Sequence, residues 1–188
     1  MALTNKLTAI ADAIRGKTGK TGELTLEQMA TEIAGIETGG GGDQSAGLVD
    51  GTLTVYESTE VTQIRTYAFY YHPTLKRVAI PNCTGQCNTN AFRNCTKLEF
   101  FDSGCASLQT ACLNGCTALK TIVLRSAGLC SLVNANALTG TPFASGGTGG
   151  TVYVPSALIE SYKTATNWST LYAGGTCNFV AIEGSEYE

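Results

Sequence analysis

Eight cysteines, a single histidine and a sparse set of carboxylates are the residues of this 188-residue chain whose types suit chemistry. Cys83-x3-Cys87 and Cys112-x3-Cys116 repeat one spacing, which raises the possibility of a metal set or a disulfide framework. Neither pair has the C-x2-C form or the companions of a usual zinc site. His72 stands alone, with no acid at a fixed short spacing to form a dyad and no nucleophile elbow. Glycan hydrolysis needs two carboxyl groups roughly 5–9 Å apart. The acids of the central segment are Glu99 and Asp102, with Asp102 projecting outward from a strand and Glu99 at the strand start. Gly16-Lys-Thr-Gly-Lys-Thr and Gly39-Gly-Gly-Gly-Asp resemble phosphate loops superficially, but neither has the G-x-x-x-x-G-K-[ST] pattern after a strand. Gly146-Gly-Thr-Gly-Gly150 reads as a turn into Val152. Between Gly104 and Ile159 the only charged side chains are Lys120 and Arg125, which leaves an enzyme little to work with.

Composition narrows the classes further. Charged residues make up 14% of the chain, against about 25% in typical soluble domains. Glycine, at 22, and threonine, at 27, are abundant. A net charge of −3 argues against a nucleic-acid partner. No apolar run approaches the ~20 residues that would cross a bilayer, so no membrane insertion is expected. The first residues lack the apolar core of a signal peptide.

The elements that must position these side chains are periodic. Val55, Val78, Phe101 and Ile122 are separated by 23, 23 and 21 residues; Ala68, Ala91, Cys112 and Ala137 by 23, 21 and 25. Phe69, Phe92, Leu113 and Leu138 follow the second set, and Ile64, Cys87, Leu108 and Val133 precede it by four. Leu75, Leu98 and Leu119 complete the ladder. A period of 20–29 residues with one short strand per unit predicts an α/β leucine-rich-repeat solenoid of short parallel strands stacked in rungs. In Lys76-Arg-Val-Ala-Ile80, alternation turns Val78 and Ile80 inward and Arg77 and Ala79 outward. This register also accounts for the cysteines. Cys87 takes the slot of Ile64 and Leu108, Cys112 that of Ala68 and Ala91, and Cys95 and Cys116 share a slot with His72. Buried thiols acting as small hydrophobes fit those slots; a bridge between neighbouring rungs, or a metal set, is the alternative. No cofactor is expected.

A repeat array needs caps. Thr151-Val-Tyr-Val154 predicts a strand and Pro155-Ser156 a helix start, with Leu158, Ile159, Tyr162, Trp168 and Leu171 facing the stack. Phe179-Val-Ala-Ile182 predicts a last strand, so an αβ cap begins at about 151. At the other end, residues 1–37 predict a short helical segment. Leu3, Leu7, Ile10 and Ile14 form one narrow stripe, and Leu26, Met29, Ile33 and Ile36 another behind a Thr25/Gln28 capping box. Such stripes require partners, most simply copies of themselves, which predicts a homo-oligomer, with a trimer through residues 3–36 as the leading geometry. Residues 38–47, Thr38-Gly-Gly-Gly-Gly-Asp-Gln-Ser-Ala-Gly47, read as a flexible linker ahead of a repeat domain over 48–188.

Ala91-Phe-Arg-Asn-Cys-Thr-Lys-Leu98 and Asn114-Gly-Cys-Thr-Ala-Leu119 resemble the BspA-type leucine-rich repeats, whose units carry an AF-x-N/G-C-x-x-L core. Val152-Tyr-Val-Pro155 and Ser161-Tyr-Lys-Thr-Ala-Thr-Asn-Trp168 resemble the cap such arrays carry. Leu7-Thr-Ala-Ile-Ala-Asp-Ala-Ile-Arg-Gly-Lys-Thr-Gly19 and Leu24-Thr-Leu-Glu-Gln-Met-Ala-Thr-Glu-Ile33 resemble the N-terminus of tail-associated proteins of phages and prophages of Gram-positive bacteria. One departure, Tyr71-His72-Pro73 in place of Asn-Cys-Thr, predicts a looser first turn. The repeat resemblance is specific for fold and weak for function. Together the resemblances imply a non-enzymatic virion tail component, present in the host cytoplasm before release, whose repeats recognise a bacterial surface protein or glycan. A bacterial cell-surface adhesin and a tail-borne glycan hydrolase are the alternatives. The candidate recognition surface combines the outward strand residues Arg77, Phe100, Asp102 and Thr121 with Tyr70 and Tyr71; Tyr67 adds further aromatic surface.

Overall fold

The computed structural model describes Gly51 and residues 53–188, which fall within the unit spanning Gly40–Glu188. The expected helices and self-assembly of residues 3–36 and the linker at 38–47 lie outside the described residues. Six parallel strands form the main sheet: β1 (Val55–Glu57), β2 (Arg77–Ile80), β4 (Phe100–Ser103), β6 (Thr121–Leu124), β8 (Gly150–Val154) and β9 (Cys177–Ala181), in that spatial order. Each is the next rung's neighbour, so every connection between adjacent strands makes one circuit of a solenoid. Halfway round, β3 (Gln86–Cys87), β5 (Ser107–Leu108) and β7 (Ser131–Leu132) form a second, narrower parallel sheet, which Ile64 extends by a bridge to Cys87.

The predicted register holds over the central rungs. Val78 pairs with Phe101, Phe101 with Ile122 and Ile122 with Val152, all four with no exposed surface. Phe69, Phe92, Leu113 and Leu138 stack beneath them, and Leu75, Leu98 and Leu119 close the column at the turn. Phe69 and Phe92 lie nearly parallel with centroids 4.9 Å apart, and Phe92 meets Phe101 edge-on at 5.5 Å. No rung could bury these rings alone; stacking buries them on both sides.

Two positions correct the sequence reading. Tyr56, not Val55, pairs with Val78, and Val55 is exposed. The first rung presents a 4.9 Å ring contact between Tyr56 and Phe69, and strand alternation then turns its neighbour Val55 outward. Likewise Leu132, not Val133, pairs with Leu108, and Val133 is exposed. A 3-10 helix over Ala135–Leu138 replaces the plain turn of other rungs and takes up one more residue before Ala137.

The cap follows β8. A 3-10 turn at Ser156–Leu158 leads into α1 (Ile159–Thr164) and α2 (Trp168–Ala173) before β9 returns to the sheet. Tyr162 and Trp168 are fully buried, and both contact Phe179. They also satisfy the last exposed rung of the second sheet. The Cys130 amide donates to the Tyr162 hydroxyl, the Trp168 indole N–H donates to the Cys130 carbonyl, each at 2.8 Å, and the Asn167 amide donates to the Leu132 carbonyl at 2.7 Å. A sheet edge left open here would offer unpaired backbone to other chains.

Candidate recognition surface

The thiols are buried and unbridged: all eight cysteines are free and inaccessible. Cys95 and Cys116 sit one above the other, and each S–H donates to the backbone carbonyl of the rung before, Phe69 and Phe92, at 2.9 and 3.1 Å. Burial pushes the Cys95 thiol up to about 12 and raises Cys116 and Cys87 well above the ordinary range. Cys83 and Cys105 meet with sulfurs 3.1 Å apart; that hydrogen bond lowers Cys83 and raises Cys105. Neutral thiols in apolar surroundings are inert as nucleophiles and metal ligands. Among the described residues no group of three His, Cys, Asp or Glu side chains is placed to hold a metal ion. His72 heads the Cys95–Cys116 column, 2% exposed. Its Nδ1 accepts the Leu75 N–H at 3.2 Å, a bond that in later rungs goes to the cysteine carbonyl from Leu98 and Leu119. The first turn thus keeps the repeat register with histidine in place of cysteine.

The carboxylates are engaged by cations from the neighbouring rung. Glu99 meets Lys120 at 3.3 Å, and Asp102 receives two bonds from Arg125, at 2.8 and 2.9 Å. Asp102 belongs to the outward column of Ala79 and Val123, yet it is only 4% exposed. Arg77 pairs with Glu57 at 3.0 Å and lays its guanidinium 3.9 Å above the Phe100 ring. On the same ring sits Tyr187, at 5.3 Å, which also meets Tyr153 at 4.6 Å. The structure therefore brings Arg77 and Phe100 together, with Thr121 in the same column and partly buried. Tyr153 and Tyr187, absent from the sequence-derived set, join them. The Gly146–Gly150 stretch is a turn: the Gly147, Gly149 and Gly150 amides donate to Ala144, Pro142 and Thr176 carbonyls rather than standing open for a phosphate.

A different picture holds on the turn-built side. The first three rungs each pass twice through the left-handed backbone region and the fourth once, and the positions stack into two columns. Tyr67, Asn90 and Ala111 have φ of 61, 58 and 55°, and Tyr71, Asn94, Gly115 and Gly140 have φ of 58, 62, 75 and 75°. Rung-to-rung bonds fix the register, with the Tyr71 amide donating to the Arg93 carbonyl and the Asn94 amide to the Asn114 carbonyl. Asparagine and glycine enter this region readily; a bulky side chain does so at a cost. The first rung places tyrosine in both columns. Tyr67, Tyr70 and Tyr71 are 56, 39 and 59% exposed, and their rings meet edge-on in sequence at 5.1 and 4.6 Å. The three rings form one connected aromatic surface.

Residues 52–144 match the family model of the BspA type leucine rich repeat region, in six copies. That stretch of the solenoid is a BspA-like leucine-rich-repeat region. Comparison with curated proteins and with solved structures returns no match. The matched region holds the tyrosine-bearing turn face and the Arg77, Phe100 and Thr121 part of the strand face, and stops short of the cap that supplies Tyr153 and Tyr187. A BspA-like repeat region points to a binding or structural role. An open depression of about 450 Å³ at the junction of repeats and cap, lined by Thr139, Thr141, Ser145 and Thr170 among others, carries no charged side chain. Sequence reasoning placed Tyr70 and Tyr71 among outward residues through their aromatic type. What it missed is that Tyr187 folds onto the strand face, a contact with no local signal in the last residues.

Proposed function

We propose that this chain is a non-enzymatic tail-associated protein of a phage or prophage, whose repeat domain binds a bacterial surface protein or glycan. One observation carries the reading: the sole cluster of three exposed aromatic rings among the described residues sits on a solenoid whose thiols are buried and whose core-rung carboxylates are paired. Such a molecule offers a surface for recognition, with its thiols and the core-rung carboxylates taken up by the fold. The likeness of residues 7–19 and 24–33 to tail-associated proteins supplies the setting. In this reading residues 3–36 assemble the chain into a trimer on the tail, and the glycine-rich stretch at 38–47 lets each repeat domain reach a receptor independently. Several copies turn weak single-site binding into avidity without new contacts. The protein then resides in the virion tail, after a period in the host cytoplasm, and uses no cofactor. Mass spectrometry of purified particles from an expressing lysogen tests this, with the chain expected among the tail proteins. Its absence from particles overturns the tail assignment, and its recovery from the wall of intact cells by protease shaving establishes an adhesin instead. Light scattering on the full chain is expected to give a trimer mass; a monomer removes the assembly role of residues 3–36.

A further inference from the structure

We infer that Tyr67, Tyr70 and Tyr71, with Arg93 in the adjoining rung, form the binding site for an acidic glycan chain, an inference that rests on the surface-recognition reading above. The first observation is conformational. Wherever later rungs enter the two left-handed columns they place asparagine, glycine or alanine there, yet the first rung holds tyrosine in both. Strained positions that persist with bulky side chains mark places where the side chain itself is needed. The second is the shape of the cluster. Edge-on contacts at 5.1 and 4.6 Å hold three exposed rings together, a platform on which flat pyranose faces can stack.

Charge selects the class of ligand. From Val61 to Leu98 the chain carries Arg65, Lys76, Arg93 and Lys97, besides the Arg77 that Glu57 engages, and no aspartate or glutamate, within a protein of net charge −3. Arg93 occupies the slot of Tyr70 one rung on. Its Nη1 reaches Asn90 at 3.4 Å, while its Nε is buried without a partner. Glycan is favoured over protein because the neighbouring slots hold Asn94 and Asn114, and among the described residues no exposed aliphatic side chain is present in the rings' own turns, Tyr67–His72 and Asn90–Cys95, to make the dry centre a protein interface needs. Amides and an arginine suit hydroxyls and carboxylates or phosphates.

The test is affinity electrophoresis and calorimetry of the full chain with four probes: polygalacturonate, neutral dextran, polyglutamate and poly(dT). Retention by polygalacturonate alone is expected, weakening as salt rises. Tyr67→Asn with Tyr71→Asn copies the residues of the second rung and is expected to lower affinity at least tenfold while the melting temperature stays level or rises. Tyr70→Ser, at an ordinary backbone conformation, is expected to give the same loss, and Arg93→Gln a smaller one. Absence of retention by polygalacturonate, equal retention of the tyrosine variants, or equal retention by polyglutamate or poly(dT) overturns the inference. A loss of binding seen only with a fall in melting temperature does so as well. If the parent chain labels host cells yet ignores polygalacturonate, surface recognition stands and the acidic-glycan site falls. Retention by polygalacturonate without labelling of any host cell gives the reverse.

Discussion

Raising the pH attacks this fold through its thiols. Cys87, Cys95, Cys116, Cys130 and Cys177 are each held above an ordinary value of 9.0, in every case first by burial, with Cys95 and Cys177 at about 12. A thiol raised in the folded state keeps its proton there and loses it in the unfolded chain. Its contribution to stability is therefore complete below about pH 9 and is lost as pH climbs toward the folded value. At pH 9 each such thiol costs roughly 0.4 kcal/mol, and at pH 10 roughly 1.4 kcal/mol. Five together remove about 2 kcal/mol at pH 9 and about 7 kcal/mol at pH 10, against a typical domain stability of about 5–15 kcal/mol. The Cys83–Cys105 pair is left out, because their hydrogen bond moves the two in opposite directions. Urea melts at neutral pH, pH 8, 9 and 9.5, followed by circular dichroism to higher pH, are expected to show a flat plateau and then a cooperative collapse at roughly pH 9.5–11. Thiolate absorbance is expected to appear with that collapse and not before it. Stability unchanged up to pH 10, or thiolates titrating while the fold stays intact, refutes the buried-thiol account.

The other perturbations are local. Phe92→Ala empties the space between Phe69 and Phe101 and is expected to cost about 3–5 kcal/mol in urea denaturation. Asp102→Asn leaves Arg125 facing a neutral amide in a pair whose side chains are 27 and 6% exposed; a loss of about 1–3 kcal/mol is expected, discounted for the exposed arginine. Gly104→Ala drives a methyl group into the Pro81 carbonyl, backbone that cannot swing aside, and thermal melting is expected to report a loss of about 1–3 kcal/mol. A thiol reagent is expected to find eight groups in denaturant and almost none in the native chain; fewer than six in denaturant would establish bridges.

The period of the core was legible because it is set by hydrophobic stacking, which leaves the same residue type in the same slot of each rung. Phe92 and Leu113 advertise their positions by size, and Cys95 and Cys116 by a shared motif. The first and last rungs were misplaced by one residue, at Val55 and Val133, where among the described residues β1 and β7 each pair with another strand on one side alone. There the larger or better-packed neighbour wins, Tyr56 against Phe69 and Leu132 beside Leu108. Long-range closure left no trace in the sequence at all. Nothing near Tyr187 announces that its ring reaches Phe100 and Tyr153, and nothing near Asp102 that Arg125 will bury it.

The strand face and the turn face differ in how much of their chemistry the fold itself uses. On the strand face each outward charge has a task between rungs: Glu57 holds Arg77, Glu99 holds Lys120, Asp102 holds Arg125, and Phe100 lies between Arg77 and Tyr187. Those contacts tie neighbouring strands across intervals where backbone pairing is only three or four residues wide. On the turn face the backbone does much of that work through the Tyr67, Phe69 and Tyr71 amides and their counterparts in the second rung, joined farther on by the Asn114 side-chain amide donating to the Asn136 carbonyl. Local rules are obeyed where Asn90, Asn94, Gly115 and Gly140 take the left-handed positions, and broken by bulky residues only at Tyr67 and Tyr71. A rule broken twice in one rung, with both offending rings exposed and in contact with a third, is where selection for something other than folding is most economically placed.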